Sequence, residues 1–287
     1  MEVPSIQVPG FKTMVKLRYT AICYPVLAMR RSMKDFTSYL DRIAIVLHRP
    51  QIPENIGAAA RAAANMGISR LILISPKNCD LSRILKTATL SVADVVESME
   101  LFSDLPSALQ SFNYVVGTTA RTGRQRRQLE TPREMAAKLV PICHNNRVAL
   151  LFGPEDRGLT NAQLRYCHSL VTIPTSTFSS LNLAQAVLIL CYELRLAGNQ
   201  GPEQFVPRLA TRHELDGMYV HLKETFLKIN FINPENPDYW MQNIHRFFSR
   251  VGLQARDVKI IRGICRQIDW YTRRTVEEVK QLEDEGD

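Results

Sequence analysis

Three separated stretches of this 287-residue chain carry side chains suited to gripping a polar ligand. The first is Asn55-Ile56-Gly57, with Arg61 a helical turn beyond. Arg61 is either a solvated arginine on an exposed face or one aimed at a phosphate or ribose, which a planar guanidinium binds through paired hydrogen bonds. The second stretch is Phe152-Gly153-Pro154-Glu155-Asp156-Arg157-Gly158-Leu159. Gly153 follows an apolar run, and its missing side chain either admits a ligand close to the backbone or marks an ordinary turn. Glu155 and Asp156 have the types of an acid–base pair, but Glu155 reads as an anchor of its loop and not as a catalyst. The third stretch is Ile173-Pro174 followed by Phe178-Ser179-Ser180-Leu181-Asn182-Leu183. Ser180 is either a plain N-cap, with Asn182 in the first turn, or part of a helix start whose free donors face a ligand. Paired with Gly153 and Ile173-Pro174, the ligand reading is favoured.

A fourth stretch, Gly117-Thr118-Thr119-Ala120, leaves a strand end and runs into Arg121, Arg124, Arg126 and Arg127. Four arginines so closely spaced suit a loop that contacts phosphates. Other chemistries are absent. After the first apolar run the chain reads His48-Arg49-Pro50-Gln51-Ile52-Pro53-Glu54, with neither a G-x-G-x-x-G nor a lysine-bearing phosphate loop. His48, His144, His168 and Cys167 have no metal-ligand spacing, so no metal is expected. The six cysteines are widely spaced with no C-x-x-C pair, which fits a reducing cytoplasm. A formal charge of +8 suits an anionic partner such as nucleic acid. No apolar run approaches the roughly 20 residues of a membrane helix.

Elements able to position these stretches follow from the hydrophobic pattern. Strands are expected over 43–47, 71–75, 114–118, 148–152 and 170–173. Helices are expected over 55–66, 105–112, 132–139, 160–167 and 181–197, with Asn55 as an N-cap, Gly67 as a stop and a capping box from Thr160 to Gln163. The segment 92–96 is ambiguous. This alternation implies an α/β fold with a mostly parallel sheet and helices on both faces. Residues 1–40 read as a disordered or mis-assigned extension, with translation expected to start at Met33 or Met29. A domain over 41–198, a linker over 199–208 and a helical C-terminal domain over 209–287 complete the expected organisation.

In order and spacing, Asn55 to Arg61, Phe152 to Leu159 and Ser179 to Leu183 resemble the motifs of the SPOUT superfamily of knotted RNA methyltransferases. Within it they resemble the TrmJ branch of tRNA ribose methyltransferases. Asn233-Pro234-Glu235-Asn236-Pro237 and Ile260-Ile261-Arg262-Gly263-Ile264 look like the same branch; Pro154 stands where some relatives carry a basic residue. The resemblance implies a deep trefoil knot, a homodimer whose sites are completed by the neighbouring subunit, and an Ala-rich helix at that interface. It implies S-adenosylmethionine held by Thr118, Thr119, Ala120, Gly153, Ile173, Ser179, Ser180 and Leu181. It also implies methyl transfer to a ribose 2′-hydroxyl, with Arg61 stabilising the emerging alkoxide and Ser180 and Asn182 positioning ribose and loop. The RNA-facing set is Asn55, Arg61, Arg121, Arg124, Arg126 and Arg127. The implied substrate is the pyrimidine at position 32 of the tRNA anticodon loop. Rival expectations are another tRNA or rRNA nucleotide, or a knotted RNA-binding protein without catalysis. The joint presence of Asn55, Arg61, Glu155, Ser180 and Asn182 speaks against the last.

Overall fold

The computed structural model describes residues 38–120, 129–176, 180–198, 205–248 and 251–284. The extension over 1–37, the arginines 121, 124, 126 and 127, and Ser179 lie outside the described residues. Within them the chain begins with a 3-10 turn, Ser38–Arg42, and continues as β1 (Ile43–His48), α1 (Pro53–Asn65), β2 (Arg70–Ile74), α2 (Leu81–Ala88), α3 (Ala93–Glu97), β3 (Glu100–Phe102) and α4 (Leu105–Leu109). Then come β4 (Tyr114–Thr118), β5 (Leu129–Glu130), α5 (Pro132–Cys143), β6 (Val148–Phe152), α6 (Asn161–Leu164), β7 (Ser169–Val171) and α7 (Leu183–Ala197). Three further helices follow: α8 (Arg212–Lys228), α9 (Pro237–Phe248) and α10 (Ala255–Asp284).

All seven strands pair in parallel, in the order β3-β2-β1-β6-β4-β7-β5. A parallel sheet covered on both faces must be apolar on both, and β1 is buried along its whole length. Its alternate residues go to opposite cores. Ile43, Ile45 and Leu47 pack with Ile56 of α1, Leu139 of α5 and Leu190 of α7. Ala44 and Val46 pack on the other face with Leu109 of α4 and Leu164 of α6. A third core, around Met218, Leu222, Met241 and Val258, belongs to the C-terminal helices.

Several element ends differ from expectation, for identifiable reasons. Tyr39 and Leu40 are 3% and 1% exposed, and the Tyr39 hydroxyl donates to Leu194 O at 2.8 Å, so residues ahead of 41 belong to the packed core. The ambiguous segment 92–96 ends a 3-10 turn and forms most of α3. The edge strands β3 and β5, three and two residues long, are too short to leave a periodic trace. Helix α1 starts at Pro53, with Ile52 in the cap position and no side-chain cap, so Asn55 is not the N-cap. Proline at the first helical position has its φ pre-set and no N–H to satisfy. Gly67 does end the helix, at φ +92°.

The described end of the expected linker is tied to the sheet domain, Asn145 Nδ2 donating to Val206 O at 3.0 Å and Asn146 Nδ2 to Pro207 O at 3.3 Å. Asn113 Nδ2 donates to Leu209 O at 2.7 Å, and Leu209 N donates to Asn146 Oδ1 at 2.7 Å. Arg212 N then donates to Phe112 O at 2.8 Å. These bonds fasten the entry of α8 to the N-terminal end of β4.

Candidate active site

The loops after β4, β6 and β7 meet at one end of the sheet and enclose a crevice of about 300 Å³. Ligands of open parallel sheets bind beyond the carboxyl ends of the strands. Of the eight residues expected to hold a cofactor, Thr118, Thr119, Ala120, Gly153, Ile173, Ser180 and Leu181 line this crevice; Ser179 lies outside the described residues. Backbone pairing fixes its walls. Thr119 N donates to Val171 O at 3.0 Å and the Thr118 hydroxyl to Leu151 O at 3.1 Å, tying the three strand ends together.

Gly153 has a role the sequence reading did not assign. A Cβ there would lie 2.3 Å from Gly158 C and 2.4 Å from Leu159 N. The missing side chain therefore makes room for the returning backbone of its own loop before it makes room for any ligand. That return is held by Gly158 N donating to Pro154 O at 2.8 Å, with Gly158 at φ +64°, where glycine is unstrained. Gly57 is likewise a packing glycine, since a Cβ there would stand 2.0 Å from Ile84 O of α2.

Glu155 is a loop anchor, as expected. Its carboxylate accepts from Gln51 N at 2.9 Å, Ile52 N at 3.4 Å and Asn55 Nδ2 at 3.0 Å. It thereby takes up two backbone donors of the segment that leads into α1 and pins that segment to the loop after β6. Asn55 passes the connection on, its Oδ1 accepting from Asn182 Nδ2 at 3.0 Å. Asn182, and not Ser180, is the N-cap of α7: its Oδ1 accepts from Ala184 N at 2.9 Å, and Gln185 closes the capping box. Both polar ends of the Asn182 side chain are thus engaged within the protein. It is exposed, not buried in a first turn, and it acts as a positioning residue. Ser180 is exposed on the crevice wall.

Arg61 is not among the residues that line the crevice of its own chain. It sits on the exposed side of α1, and it makes no hydrogen bond or ion pair among the described residues. The Ala-rich side, with Ala59, Ala60, Ala62 and Ala63, is buried within the chain as α1 packs on α2 and α7. The face of α1 left open is the one bearing Arg61. Asp156, at the crevice mouth, has its carboxyl held below the usual range by a hydrogen bond from Gln51, its Arg157 neighbour contributing less. Among the described residues no group of His, Cys, Asp and Glu is gathered as a metal ion requires, and no helix is long and apolar enough to cross a membrane.

Residues 42–192 match the SpoU rRNA Methylase family, and residues 213–281 match the C-terminal domain of the tRNA methyltransferase TrmJ. The chain belongs to the TrmJ branch of the SpoU methylase family. A tRNA (cytidine/uridine/adenosine-2′-O-)-methyltransferase TrmJ from Pseudomonas aeruginosa is 38% identical over 82% of this chain and 96% of its own length. A tRNA (cytidine/uridine-2′-O-)-methyltransferase TrmJ from Pectobacterium atrosepticum is 36% identical over 80% and 97%. The crystal structure of TrmJ from Zymomonas mobilis (Z. mobilis ZM4) superposes with a TM-score of 0.67 at 28% identity, covering 79% of this chain and 98% of that one. A methylase family protein from Neisseria gonorrhoeae gives 0.59 at 32% identity, covering 64% and 95%. Membership makes the chain an S-adenosylmethionine-dependent methyltransferase of the SpoU type. The crevice fits that donor: apolar Ile173, Leu181 and Leu183 offer a surface for a ring, beside the polar residues Thr118, Thr119 and Ser180.

Proposed function

We propose that the chain methylates a ribose 2′-hydroxyl of tRNA, at the pyrimidine of anticodon-loop position 32. The observation that carries this reading is the meeting of Gly153, Ser180, Leu181 and Thr118 in one crevice. The tRNA-directed names of relatives that match most of the chain support it. Bound in the crevice, S-adenosylmethionine supplies a methyl group on a sulfonium, a centre that an oxygen nucleophile attacks in line. Ser180 faces the space where the ribose must lie. A guanidinium is a donor and carries no acceptor, so the part of Arg61 is to orient a phosphate and stabilise the emerging alkoxide, not to remove the proton. Holding the two reactants near attack distance supplies much of the acceleration.

The reading includes a homodimer. Arg61 is exposed, unpaired among the described residues and outside its own chain's crevice, which supports its reaching the crevice of a partner. It also includes the deep trefoil knot, supported by the non-sequential order β1-β6-β4-β7 and by the tight return of the loop after Gly153. Asn55 belongs to the fastening of the site, since both ends of its side chain are engaged by Glu155 and Asn182. Its expected RNA contact stays part of the proposal. Arg121, Arg124, Arg126 and Arg127 remain the phosphate-contacting loop of this proposal.

Purified protein incubated with labelled S-adenosylmethionine and total tRNA tests it. Label at the 2′-oxygen of nucleotide 32 is the expected result. Label at another tRNA nucleotide or in rRNA would move the target, and RNA binding without incorporation would leave a binding protein.

A further inference from the structure

A second cavity, of about 360 Å³, opens at the opposite end of the sheet, where the C-terminal helices dock. Asn113, just before β4, and His168, just before β7, form its floor, so the five-residue strand β4 separates it from the methyl-donor crevice by roughly 16 Å. Its volume is within the range of small-molecule sites. Its walls are cationic and aromatic together. Arg212, only 8% exposed, lays its guanidinium 4.8 Å from the centre of the Tyr166 ring and pairs with Asp216. Its Nε is buried with no hydrogen-bond partner among the described residues. Arg165 joins it from the end of α6, reaching Gln242 of α9 at 3.5 Å. The rings of Tyr219 and His245, which also line it, lie against each other with centroids 3.6 Å apart and planes tilted by 31°.

Arg165, Arg212 and Arg246 line the cavity and no Asp or Glu does, Asp216 reaching Arg212 from outside the lining, so an anionic group entering it meets an excess of positive charge. The charge balance points the same way. Burial first, and then the charge of Arg212, hold His245 down to about 4, the sign of a desolvated site already rich in positive charge. Aromatic rings beside the guanidiniums (Tyr166, Tyr219, His245 and Phe248) supply the other requirement, apolar ring surface for a planar group.

We propose that this seam cavity binds a nucleoside monophosphate unit, with the phosphate at the guanidiniums of Arg165 and Arg212 and the base against the aromatic walls. The unit comes either from a free nucleotide or from one residue of an RNA chain; the recognition chemistry is the same. The site is separate from the methyl-donor crevice and does not depend on the function proposed above.

The full-length protein, saturated with S-adenosylhomocysteine so that the crevice is filled, is the sample to use. The His245 ring resonance, assigned by its loss in His245→Gln, is followed while uridine monophosphate, a uridine tetranucleotide or inorganic phosphate is added. A saturable shift with the mononucleotide identifies a free-nucleotide site, and one with the tetranucleotide alone identifies an RNA residue. In either case Arg165→Glu, a change at an exposed position, weakens the titration at least ten-fold without lowering the melting temperature. The proposal is overturned if neither nucleotide ligand shifts the resonance, if phosphate alone binds as tightly as the nucleotide, or if Arg165→Glu binds unchanged.

Discussion

The side chains of Asn55 and Asn182, 127 positions apart, meet at 3.0 Å, and the direction of that hydrogen bond is dictated from outside the pair. The Glu155 carboxylate only accepts, so the Asn55 amide must turn its NH2 toward it and its oxygen toward Asn182. Asn182 must then donate to Asn55, which leaves its own oxygen for the first turn of α7. One acidic residue therefore sets the polarity of a relay that joins all three motif segments. Asn55→Ala and Asn182→Ala should each lower stability by about 1–2 kcal/mol, from a lost hydrogen bond and a lost cap. Combined, they should show a coupling of about 0.5 kcal/mol or more in urea unfolding. Strictly additive losses would mean that the relay does not exist.

Glycines 57 and 153 should respond differently to the same change. A methyl at position 57 collides with the Ile84 carbonyl of α2, away from the crevice, while one at position 153 collides with the Gly158–Leu159 backbone of the crevice loop. Each alanine variant should lose about 1–3 kcal/mol by overpacking. Only Gly153→Ala should also weaken S-adenosylhomocysteine binding, by at least ten-fold in calorimetric titration at a temperature where both variants are folded.

The helical module should be acid-sensitive. His245 titrates at about 4 in the folded protein, chiefly because it is buried and secondly because of Arg212. The unfolded chain, with an ordinary imidazole near pH 6.5, takes up this proton first as the pH falls. The stability contribution is thus intact above about pH 6.5 and is lost as the pH drops toward 4. After discounting for solvent screening the loss is about 1–2 kcal/mol. Thermal melts from pH 7 to 4.5 should show a steeper decline for the natural protein than for His245→Gln.

Arg61→Ala should leave donor affinity unchanged and lower turnover by about 100-fold or more, the scale seen when a group stabilising developing charge is removed. Mixing this variant with a subunit disabled in the crevice tests the dimer. If Arg61 acts across subunits, mixed dimers contain one intact site and activity returns; if it acts within its own chain, the mixture stays inactive.

Much of this was legible because local rules agreed with the fold. The Thr160–Gln163 capping box, the stop at Gly67 and the strands β1, β4 and β6 follow from patterns a few residues long. Glu155 was legible as an anchor because its loop leaves backbone donors in need of an acceptor. What stayed hidden was long-range. Nothing near Asn55 says that its side-chain amide donates to a carboxylate 100 positions away. Nothing near Gly57 or Gly153 names the backbone that fills the space beside it. The seam cavity draws on Asn113, His168, Arg212 and His245, which share no spacing and meet only when α8 docks on β4.

The central claim is that the loops after β4, β6 and β7 form a single site for the methyl donor. Titration of S-adenosylhomocysteine into the natural protein and into Leu181→Arg, whose side chain would fill the crevice, tests it most directly. One saturable site per chain, with affinity lowered at least thirty-fold in the variant and its melting temperature preserved, is the predicted result. Absence of binding in the natural protein, or equal affinity in both, would contradict it.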